Sequence, residues 1–392
     1  MKIGFVANSS WNLYNFRSAL ICALQDHGHQ VIAIAPADGY SDRLEEMGCV
    51  FVPVVGMHVK GTNPIQDLRL MRQLCLVYQE QQLDVVLHYT IKPNIYGTLA
   101  ARWAGIPAIN NVTGLGTVFL RHTPAAKVAR YLYRLAFQYP QKVFFQNDDD
   151  RQLFIRKKLV QPDIADLVPG SGIDTAQFLA DATTPKTGRF TFLMIARLLY
   201  DKGIVEYIQA IRLLKSQGVN ARFLLLGRIN ADKGLGVSPE QVQDWEAEGL
   251  IEYLGVVDDV RPVIASAHAV VLPSYREGTP RTLLEAASMS RPLVATDVPG
   301  CRETIKDGYN GFLCQVKDAR SLAEKMAHLY WLPETKRQEM GQNSRRFVEE
   351  HFAVDLVIKK YEEALQSFCA IRSDAPLHSV SSGILKPTPR IA

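Results

Sequence analysis

Short apolar runs alternate with amphipathic stretches of helical length along most of the chain, and the pattern occurs twice. The first series opens with a strand predicted at Ile3–Ala7 and a helix at Phe16–His27, and continues to a strand at Val143–Gln146. The second opens at Phe190–Ala196, after a polar segment with Pro and Gly at 183–188. Such alternation predicts parallel sheets covered by helices. We expect an α/β fold with two doubly wound domains facing each other across a cleft.

The totals agree with this organisation and exclude several classes of protein. At 392 residues the chain is long for a single core. A net charge of +4 is too small to indicate a nucleic-acid binder by itself. Six scattered cysteines have neither CxxC nor zinc spacing, which favours free thiols in a reducing cytosol. No run of about 18 apolar residues predicts a membrane span, and the first residues predict a strand rather than a signal peptide.

The stretch 269–292 combines a strand, a loop and a helix with two carboxylates. Ala269–Pro273 predicts a buried strand, and the helix after it is predicted to begin with Thr279 as N-cap and Pro280 as its first residue. Glu277 lies in the loop and Glu285 in the helix, with seven residues between them. The first turn of a helix favours an anion. A ligand with phosphate and hydroxyl groups fits this arrangement, although a solvated loop acid and a helix-surface acid fit the spacing equally.

Two cations stand at the end of the first strand of the second series. Arg197 and Lys202 are five residues apart, on either side of a loop that leads into a helix. Either one alone would be an ordinary solvated side chain. Together, in the same half of the chain as the two glutamates, they predict a clamp for a diphosphate.

Parallel sheets bind ligands beyond the carboxyl ends of their strands, which directs attention to the loops there. The loop after the first strand lacks GxGxxG, so a tightly held NAD or FAD is not expected. N-capping of a helix by Ser9, Ser10 or Asn12 would explain one of its small polar residues but not the whole run. Substrate contacts are predicted for Asn8, Ser9, Ser10 and Asn15. His88 ends another predicted strand with Lys92 four residues on, which fits either an acceptor site or a structural role.

No acidic residue occurs between Asp84 and Asp148. Inside this interval, Val118–Gln138 interleaves bulky apolar residues with four basic ones: Arg121, Lys127, Arg130 and Arg134. This composition predicts contact with an anionic membrane surface or lipid head group, with an ordinary half-buried helix as the alternative. No recognised motif supports binding to nucleic acid.

A metal site is not expected. Asp148 and Asp150 have the DxD spacing of some metal sites, but the run Asn147–Asp150 lies between a predicted strand and a predicted helix. Helix capping and interaction with the helix dipole explain these residues well. The pair Asp258 and Asp259 is interpreted in the same way.

Four segments resemble those of retaining glycosyltransferases of family 4, which have the GT-B fold. The most specific are ARLLYDKG (196–203) and EGTPRTLLE (277–285); the others are VPGSGID (168–174) and GYNGFL (308–313). The likeness extends to about residue 372. The opening KIGFVA and VTGLGTVF (112–119) look closest to the branch of bacterial undecaprenyl-diphosphate-linked α-1,3-N-acetylgalactosaminyltransferases and surface-polysaccharide enzymes.

The resemblance implies roles for individual residues. Arg197 and Lys202 would hold the donor diphosphate and stabilise the leaving group, Glu277 would face the transferred sugar, and Glu285 would bind the ribose hydroxyls. The resemblance implies further donor contacts from Gly227, Arg228, Val256, Gly278, Thr279, Pro280 and Leu284. Many members carry a histidine in the loop that here contains Thr113 and Gly114. Backbone N–H groups are expected to take its place on the acceptor side.

The expected domains are residues 1–182 for the acceptor and 183–352 for the donor. A helix at Ala353–Phe368 would cross back so that 353–372 complete the first domain, and 373–392 would form a disordered tail.

The expected activity is retaining transfer of an N-acetylhexosamine (GalNAc or GlcNAc) or a hexose from a UDP-sugar to a polyprenyl-diphosphate-linked saccharide. No cofactor or metal is expected, and the location would be the inner face of the cytoplasmic membrane. One alternative, a non-hydrolysing UDP-sugar 2-epimerase, needs added carboxylates that the acid-free interval does not offer. The other, a non-catalytic protein that binds anionic lipid or carbohydrate, has no use for Arg197, Lys202 and Glu285 together.

Overall fold

The computed structural model describes residues 1–57, 63–115, 124–179, 188–229 and 234–373. These residues form two separate sheets in which every strand pairing is parallel, with helices connecting successive strands. The predicted α/β class with two doubly wound sheets is confirmed. The predicted linker lies mostly in 180–187 and the predicted tail mostly in 374–392, and both of these ranges are outside the described residues.

The first sheet consists of short, mainly apolar strands, and the central ones are buried on both faces, as the core of a parallel sheet requires. They are β1 (Lys2–Val6), β2 (Gln30–Ala35), β3 (Val50–Pro53), β4 (Val85–Tyr89), β5 (Ala108–Val112), β6 (Lys142–Phe145) and β7 (Ala165–Leu167). Their spatial order is β3-β2-β1-β4-β5-β6-β7. The order reverses between β1 and β4, which places a crevice at the carboxyl ends of these two strands.

The helices around the first sheet follow the strands in turn. They are α1 (Ser10–Asp26), α2 (Ser41–Glu46), α3 (Pro64–Glu80), α4 (Thr98–Ala104) after a π-helical turn at Pro93–Gly97, α5 (Pro124–Ala136) and α6 (Asp148–Arg156). Helix α1 begins six residues earlier than predicted. The reason is that the Ser9 hydroxyl caps it, accepting from the Asn12 N–H at 3.2 Å, so the polar residues form its first turns.

The second sheet repeats the architecture. Its strands are β8 (Phe190–Ile195), β9 (Ala221–Leu226), β10 (Glu252–Tyr253), β11 (Ala269–Leu272), β12 (Leu293–Thr296) and β13 (Gly311–Cys314), in the order β10-β9-β8-β11-β12-β13. Its helices are α7 (Ile204–Ser216), α8 (Pro239–Ala247), α9 (Arg261–Ser266), α10 (Arg281–Ser288), α11 (Ala319–Trp331) and α12 (Glu334–Phe352). The order reverses between β8 and β11, so a second crevice lies at their carboxyl ends.

The connection between β12 and β13 contains a short helical segment, in which Arg302–Thr304 form a 3₁₀ turn. Local hydrogen bonds from side chain to backbone favour this turn over a strand. The Glu303 carboxylate accepts from the Gly300 N–H at 2.7 Å, and the Thr304 hydroxyl donates to the Cys301 carbonyl at 2.8 Å.

The last helix, α13 (Val354–Ser373), returns to the first sheet. Its residues Val357, Tyr361 and Leu365 are buried in the apolar cluster between that sheet and α1. The Asn111 amide donates to the Tyr361 hydroxyl at 2.8 Å, which ties the helix to the end of β5.

Candidate active site

Lys202 and Glu277 form an ion pair at the carboxyl ends of the neighbouring strands β8 and β11. Gly203 makes the approach of the two loops possible, since a Cβ there would lie 2.1 Å from the Pro273 carbonyl oxygen and its φ is +73°. The Tyr275 N–H donates to the Asp201 carbonyl at 2.9 Å. The local backbone therefore positions the Lys202 ammonium against the Glu277 carboxylate.

The Glu277 carboxylate is fixed by more than the lysine. Its Oε1 also accepts from the Ser274 hydroxyl at 2.7 Å, and the Glu277 N–H donates to the Pro299 carbonyl at 3.0 Å. The side chains of Lys202 and Glu277 are only 17% and 14% exposed, so the pair is weakly screened by solvent. An anionic ligand in this crevice would meet an ammonium whose position is already set.

Glu285 lies in α10 and is buried, with Arg281 one turn earlier on the same helix. The Arg281 Nε donates to the Glu285 carboxylate at 2.8 Å, and its Nη1 donates to the Asn15 carbonyl of α1. Burial raises the pKa of Glu285 above its usual value, while the Arg281 guanidinium opposes that shift. The second glutamate is thus linked through Arg281 to the first sheet's helix α1.

Thr279 is not the N-cap of α10, which corrects the prediction. Pro280 occupies the cap position, and the Thr279 hydroxyl donates to the Gln146 carbonyl at 3.0 Å. The Thr279 N–H donates to the Gln146 side-chain oxygen at 3.2 Å. The cap residue is displaced because Gln146, which follows β6, supplies better partners from the other domain.

Further contacts hold the Glu277 loop against the first domain. The Asn147 amide donates to the Gly278 carbonyl at 3.0 Å, and Arg276 pairs with Asp150, which is 1% exposed. The loop of Thr113 and Gly114 lies directly against Gly278. The predicted residues Gly278 and Thr279 therefore meet the predicted acceptor loop at the domain interface.

The remaining predicted donor residues occupy two environments. Arg197 and Arg228 are exposed on adjacent loops, which are joined by the Leu198 N–H donating to the Arg228 carbonyl at 3.0 Å. Gly227 N–H donates to the Gly255 carbonyl at 2.8 Å, next to Val256, which is 60% exposed. These groups line the strand ends beside Lys202.

Pro280 and Leu284, the last two of the predicted donor residues, are both buried. Pro280 is the buried cap residue of α10. The Leu284 side chain is 1% exposed in the apolar core beneath that helix, and its contact with the donor stays a prediction.

Several predicted acceptor residues have structural roles instead. Ser9 caps α1, and the fully buried Ser10 hydroxyl donates to the Pro36 carbonyl at 2.9 Å. The Asn15 amide donates to the Trp11 carbonyl at 3.0 Å, and its own carbonyl accepts from Arg281. Asn8 keeps its side-chain oxygen buried at the crevice, with no partner among the described residues.

His88 does not reach a ligand, which corrects its prediction as an acceptor contact. It is fully buried, with Nδ1 2.9 Å from the Asn110 side-chain oxygen and Nε2 3.0 Å from the Tyr78 hydroxyl. Burial lowers its pKa to about 4, against the opposing effect of the bond to Asn110. Lys92 likewise is tied to buried Asp67 at 2.9 Å. Both side chains belong to the internal polar network of the first domain.

Helix α5 carries the predicted membrane residues that the structure describes. Lys127 and Arg134 are exposed and Arg130 is half-buried, whereas Arg121 lies outside the described residues. Between the cations, Val128, Tyr131 and Leu135 are 55%, 67% and 37% exposed. The outer face of α5 is both basic and apolar.

Metal ligands do not cluster in the part of the chain that the structure describes, where no group of three His, Cys, Asp or Glu side chains is arranged to hold an ion. The Asn147 side chain instead caps α6, accepting from the Asp150 N–H at 2.8 Å. None of the described helices combines the length and apolar character needed to cross a bilayer.

Comparison with known families finds a matching family model for each half of the chain. The profile described as "Glycosyl transferase 4-like domain" matches residues 16–170, and the one described as "Glycosyl transferases group 1" matches residues 177–347. The chain is a glycosyltransferase whose second half belongs to group 1 and whose first half is 4-like. This confirms the family that the motifs at 196–203 and 277–285 resemble.

Named relatives of this glycosyltransferase include the Campylobacter jejuni N,N′-diacetylbacillosaminyl-diphospho-undecaprenol α-1,3-N-acetylgalactosaminyltransferase. The two are 27% identical over 94% of this chain and 100% of the relative. The Escherichia coli UDP-Gal:α-D-GlcNAc-diphosphoundecaprenol α-1,3-galactosyltransferase is 22% identical over 75% of this chain and 77% of its own. An Anabaena protein crystallised with UDP superposes with a TM-score of 0.76, at 19% identity, over 94% of this chain and 100% of that one, which confirms the GT-B fold.

The residues that join the two domains of this glycosyltransferase could not be identified from the sequence. Gln146, Asn147 and Asp150 contact the Glu277 loop, and Arg281 connects Glu285 to α1. The capping pattern identified Asn147 but not its contact with the other domain. Nothing in the sequence indicates which basic residue faces Asp150, since the two partners are 126 residues apart.

Proposed function

We propose that this glycosyltransferase moves an N-acetylhexosamine or a hexose, with retention, from a UDP-sugar to a polyprenyl-diphosphate-linked saccharide. The observation that carries the proposal is the desolvated pair of Lys202 and Glu277 at the second sheet's switch point, held against the first domain. The two named relatives act on saccharides linked to diphospho-undecaprenol. No metal or other cofactor forms part of the proposal.

In this proposal the donor diphosphate takes the Lys202 ammonium as its counter-charge, and exposed Arg197 and Arg228 approach it from the adjacent loops. Glu277 then faces the transferred sugar, and Glu285 accepts the ribose hydroxyls. An ammonium held at a fixed position stabilises charge on the leaving UDP without reorganising, which is where an enzyme of this kind gains most rate. The rest of the rate enhancement comes from holding the donor and the acceptor together in one cleft.

The test is turnover of a panel of UDP-sugars with a short-chain prenyl-diphosphate-linked N-acetylhexosamine, followed by NMR of the new anomeric centre. Transfer with an α-linked product from an α-linked donor supports the proposal. Lys202→Ala should reduce turnover by about 10² to 10³, whereas Lys215→Ala, an exposed lysine on α7, should leave it unchanged. Conversion of the UDP-sugar to an epimer without acceptor, or an inverted product, would contradict it.

We also propose that the enzyme lies on the inner face of the cytoplasmic membrane through α5. The exposed Val128, Tyr131 and Leu135 offer apolar area between cations, and the ring of Tyr139 packs under Arg102 at 5.6 Å beside exposed Trp103. Such a face gains affinity from both apolar burial and anionic lipid.

Sedimentation with phosphatidylglycerol vesicles tests this location. Wild type should bind them several-fold more strongly than phosphatidylcholine vesicles, and Val128→Ser with Tyr131→Ser should lose most of the binding. Trp331→Ser, which removes an equally exposed aromatic ring from the second domain, is the matched control. Binding that ignores lipid charge, or that survives the double substitution, would refute the role of α5.

A further inference from the structure

Arg17 is a buried cation in the first domain that no predicted role includes. It lies in α1 with 3% of its surface exposed, and its guanidinium carbon is 4.2 Å from the centre of the Tyr89 ring. Its Nε and Nη1 are buried without a hydrogen-bond partner, and no acidic side chain in the described ranges pairs with it. A cation removed from water is costly unless an anion or acceptors satisfy it.

The strand ends next to Tyr89 also carry buried polar atoms without partners. Asn8, Thr90 and Asn111 each keep a buried side-chain oxygen without a hydrogen bond among the described residues. They follow or end β1, β4 and β5, whose registers pair Val6 with His88 and Tyr89 with Asn111. The three oxygens therefore lie along adjacent strand ends, at the crevice where the strand order reverses.

The charge and the backbone of this region also favour an anionic ligand. No acidic residue occurs in 85–147, which includes β4, β5 and β6. Thr90 has a φ of +70°, an unfavourable conformation for a β-branched residue. Residues held in such conformations concentrate at functional sites.

We propose that Arg17 binds the diphosphate of the lipid-linked acceptor. This rests on the proposed function, because it assigns the anionic group of that acceptor to a residue of the same cleft. Lys202 of the second domain already provides a cation for the donor diphosphate. The unpaired Arg17 guanidinium of the first domain therefore fits the diphosphate of the acceptor. Arginine suits the task because its planar fork of N–H groups matches phosphate oxygens. Asn8, Thr90 and Asn111 line the same crevice.

The test compares two acceptors that carry the same sugar. One is farnesyl-diphosphate-linked N-acetylglucosamine, and the other is the uncharged undecyl N-acetylglucosaminide. Wild type should prefer the first by about 30-fold or more in kcat/KM, the range expected when charge-assisted hydrogen bonds are lost. Arg17→Gln should raise KM for the diphosphate acceptor by a similar factor, without changing kcat/KM for the uncharged one or the Kd for UDP. For the diphosphate acceptor, the KM of Arg17→Lys should lie between those of wild type and Arg17→Gln.

Several outcomes would overturn this assignment while leaving glycosyl transfer intact. The first is a wild-type enzyme with equal kcat/KM for the two acceptors, and the second is an equal loss of kcat/KM with both acceptors in Arg17→Gln. The third is weaker binding of UDP by Arg17→Gln, which would assign Arg17 to the donor. Should Arg17→Gln not fold, Arg17→Lys gives the same comparison with the charge retained, and an unchanged preference there would refute the bidentate role. Failure of wild type to glycosylate either acceptor would instead count against the proposed function.

Discussion

Asp150, in the first turn of α6, pairs with Arg276, the residue that immediately precedes Glu277. The two belong to different domains, and the carboxylate is 1% exposed. Burial raises the pKa of Asp150 in spite of the nearby guanidinium. The pair therefore fixes the position of the Glu277 loop more than it contributes net stability, as is common for buried ion pairs.

Asp150→Asn should lower the stability of the protein by about 3 kcal/mol, because it leaves the Arg276 cation unpaired at a dry interface. It should also reduce kcat, since the Glu277 loop loses one of its anchors. Asp148→Asn is the matched control: the same change two residues away affects only exposed contacts with Arg151 and Gln152, worth about 0–1 kcal/mol. Urea unfolding and turnover check both variants, and equal effects of the two substitutions would argue against an interdomain role for Asp150.

Lys202→Ala should reduce kcat by about 10² to 10³, the usual cost of removing one preorganised group that stabilises the leaving group. It should weaken UDP binding as well, since the donor diphosphate loses its buried counter-charge. Steady-state kinetics and calorimetric titration with UDP measure the two effects separately. A Lys202→Ala enzyme with wild-type kcat would remove the lysine from the mechanism.

The sequence was enough to predict the sheets and the loop that carries Glu277, because strand periodicity and the spacing of the motifs are local. It did not predict which of those residues meet across the domains. The Asn147 side chain looked like a helix cap and is one, yet its amide also reaches Gly278. His88 looked like a strand-end ligand, because nothing local reveals that Tyr78 and Asn110 enclose it. Long-range partners decide both cases, and a single sequence does not contain them.

Gln146→Ala should tighten binding of the UDP-sugar by about fivefold, because the Gln146 side chain occupies the N–H of Thr279, a residue that the family resemblance assigns to the donor site. Removing a competing hydrogen bond is worth about 1 kcal/mol. Titration with a UDP-sugar measures the change, with Gln141→Ala, an exposed glutamine at the start of the same segment, as the control. Weaker binding would mean that Gln146 contacts the donor itself.

Acid should destabilise the protein partly through His88. Its pKa of about 4 in the folded state is below the ordinary 6.5, so between these values the unfolded chain binds a proton that the folded chain does not. The stability that this pKa difference of His88 contributes is fully present above pH 6.5, and it falls by about 1 kcal/mol per pH unit toward pH 4. His268, with a pKa also lowered to about 4 by burial, contributes a similar loss.

His88→Gln should therefore make the dependence of stability on pH shallower from pH 6.5 to 5, whatever it does to stability at neutral pH. Urea unfolding at several pH values provides the slope. His351→Gln, the same substitution at an exposed position, is the control. A His88→Gln protein with the wild-type slope would show that the acid limb comes from other groups.

Gly278→Ala should force the two domains apart. A Cβ at Gly278 would lie 2.1 Å from the Thr113 carbonyl and 2.6 Å from the Gln146 side-chain oxygen, and the carbonyl belongs to backbone that cannot simply rotate away. The variant should lose most activity, melt at a lower temperature and show a larger radius of gyration by small-angle scattering. Gly39→Ala is the matched control, because no atom lies within 4 Å of its Cβ position and its φ is not positive. That change should be neutral or stabilise by up to about 1 kcal/mol. A compact, active Gly278→Ala enzyme would mean that the loops of Thr113 and Gly278 are not in contact during turnover.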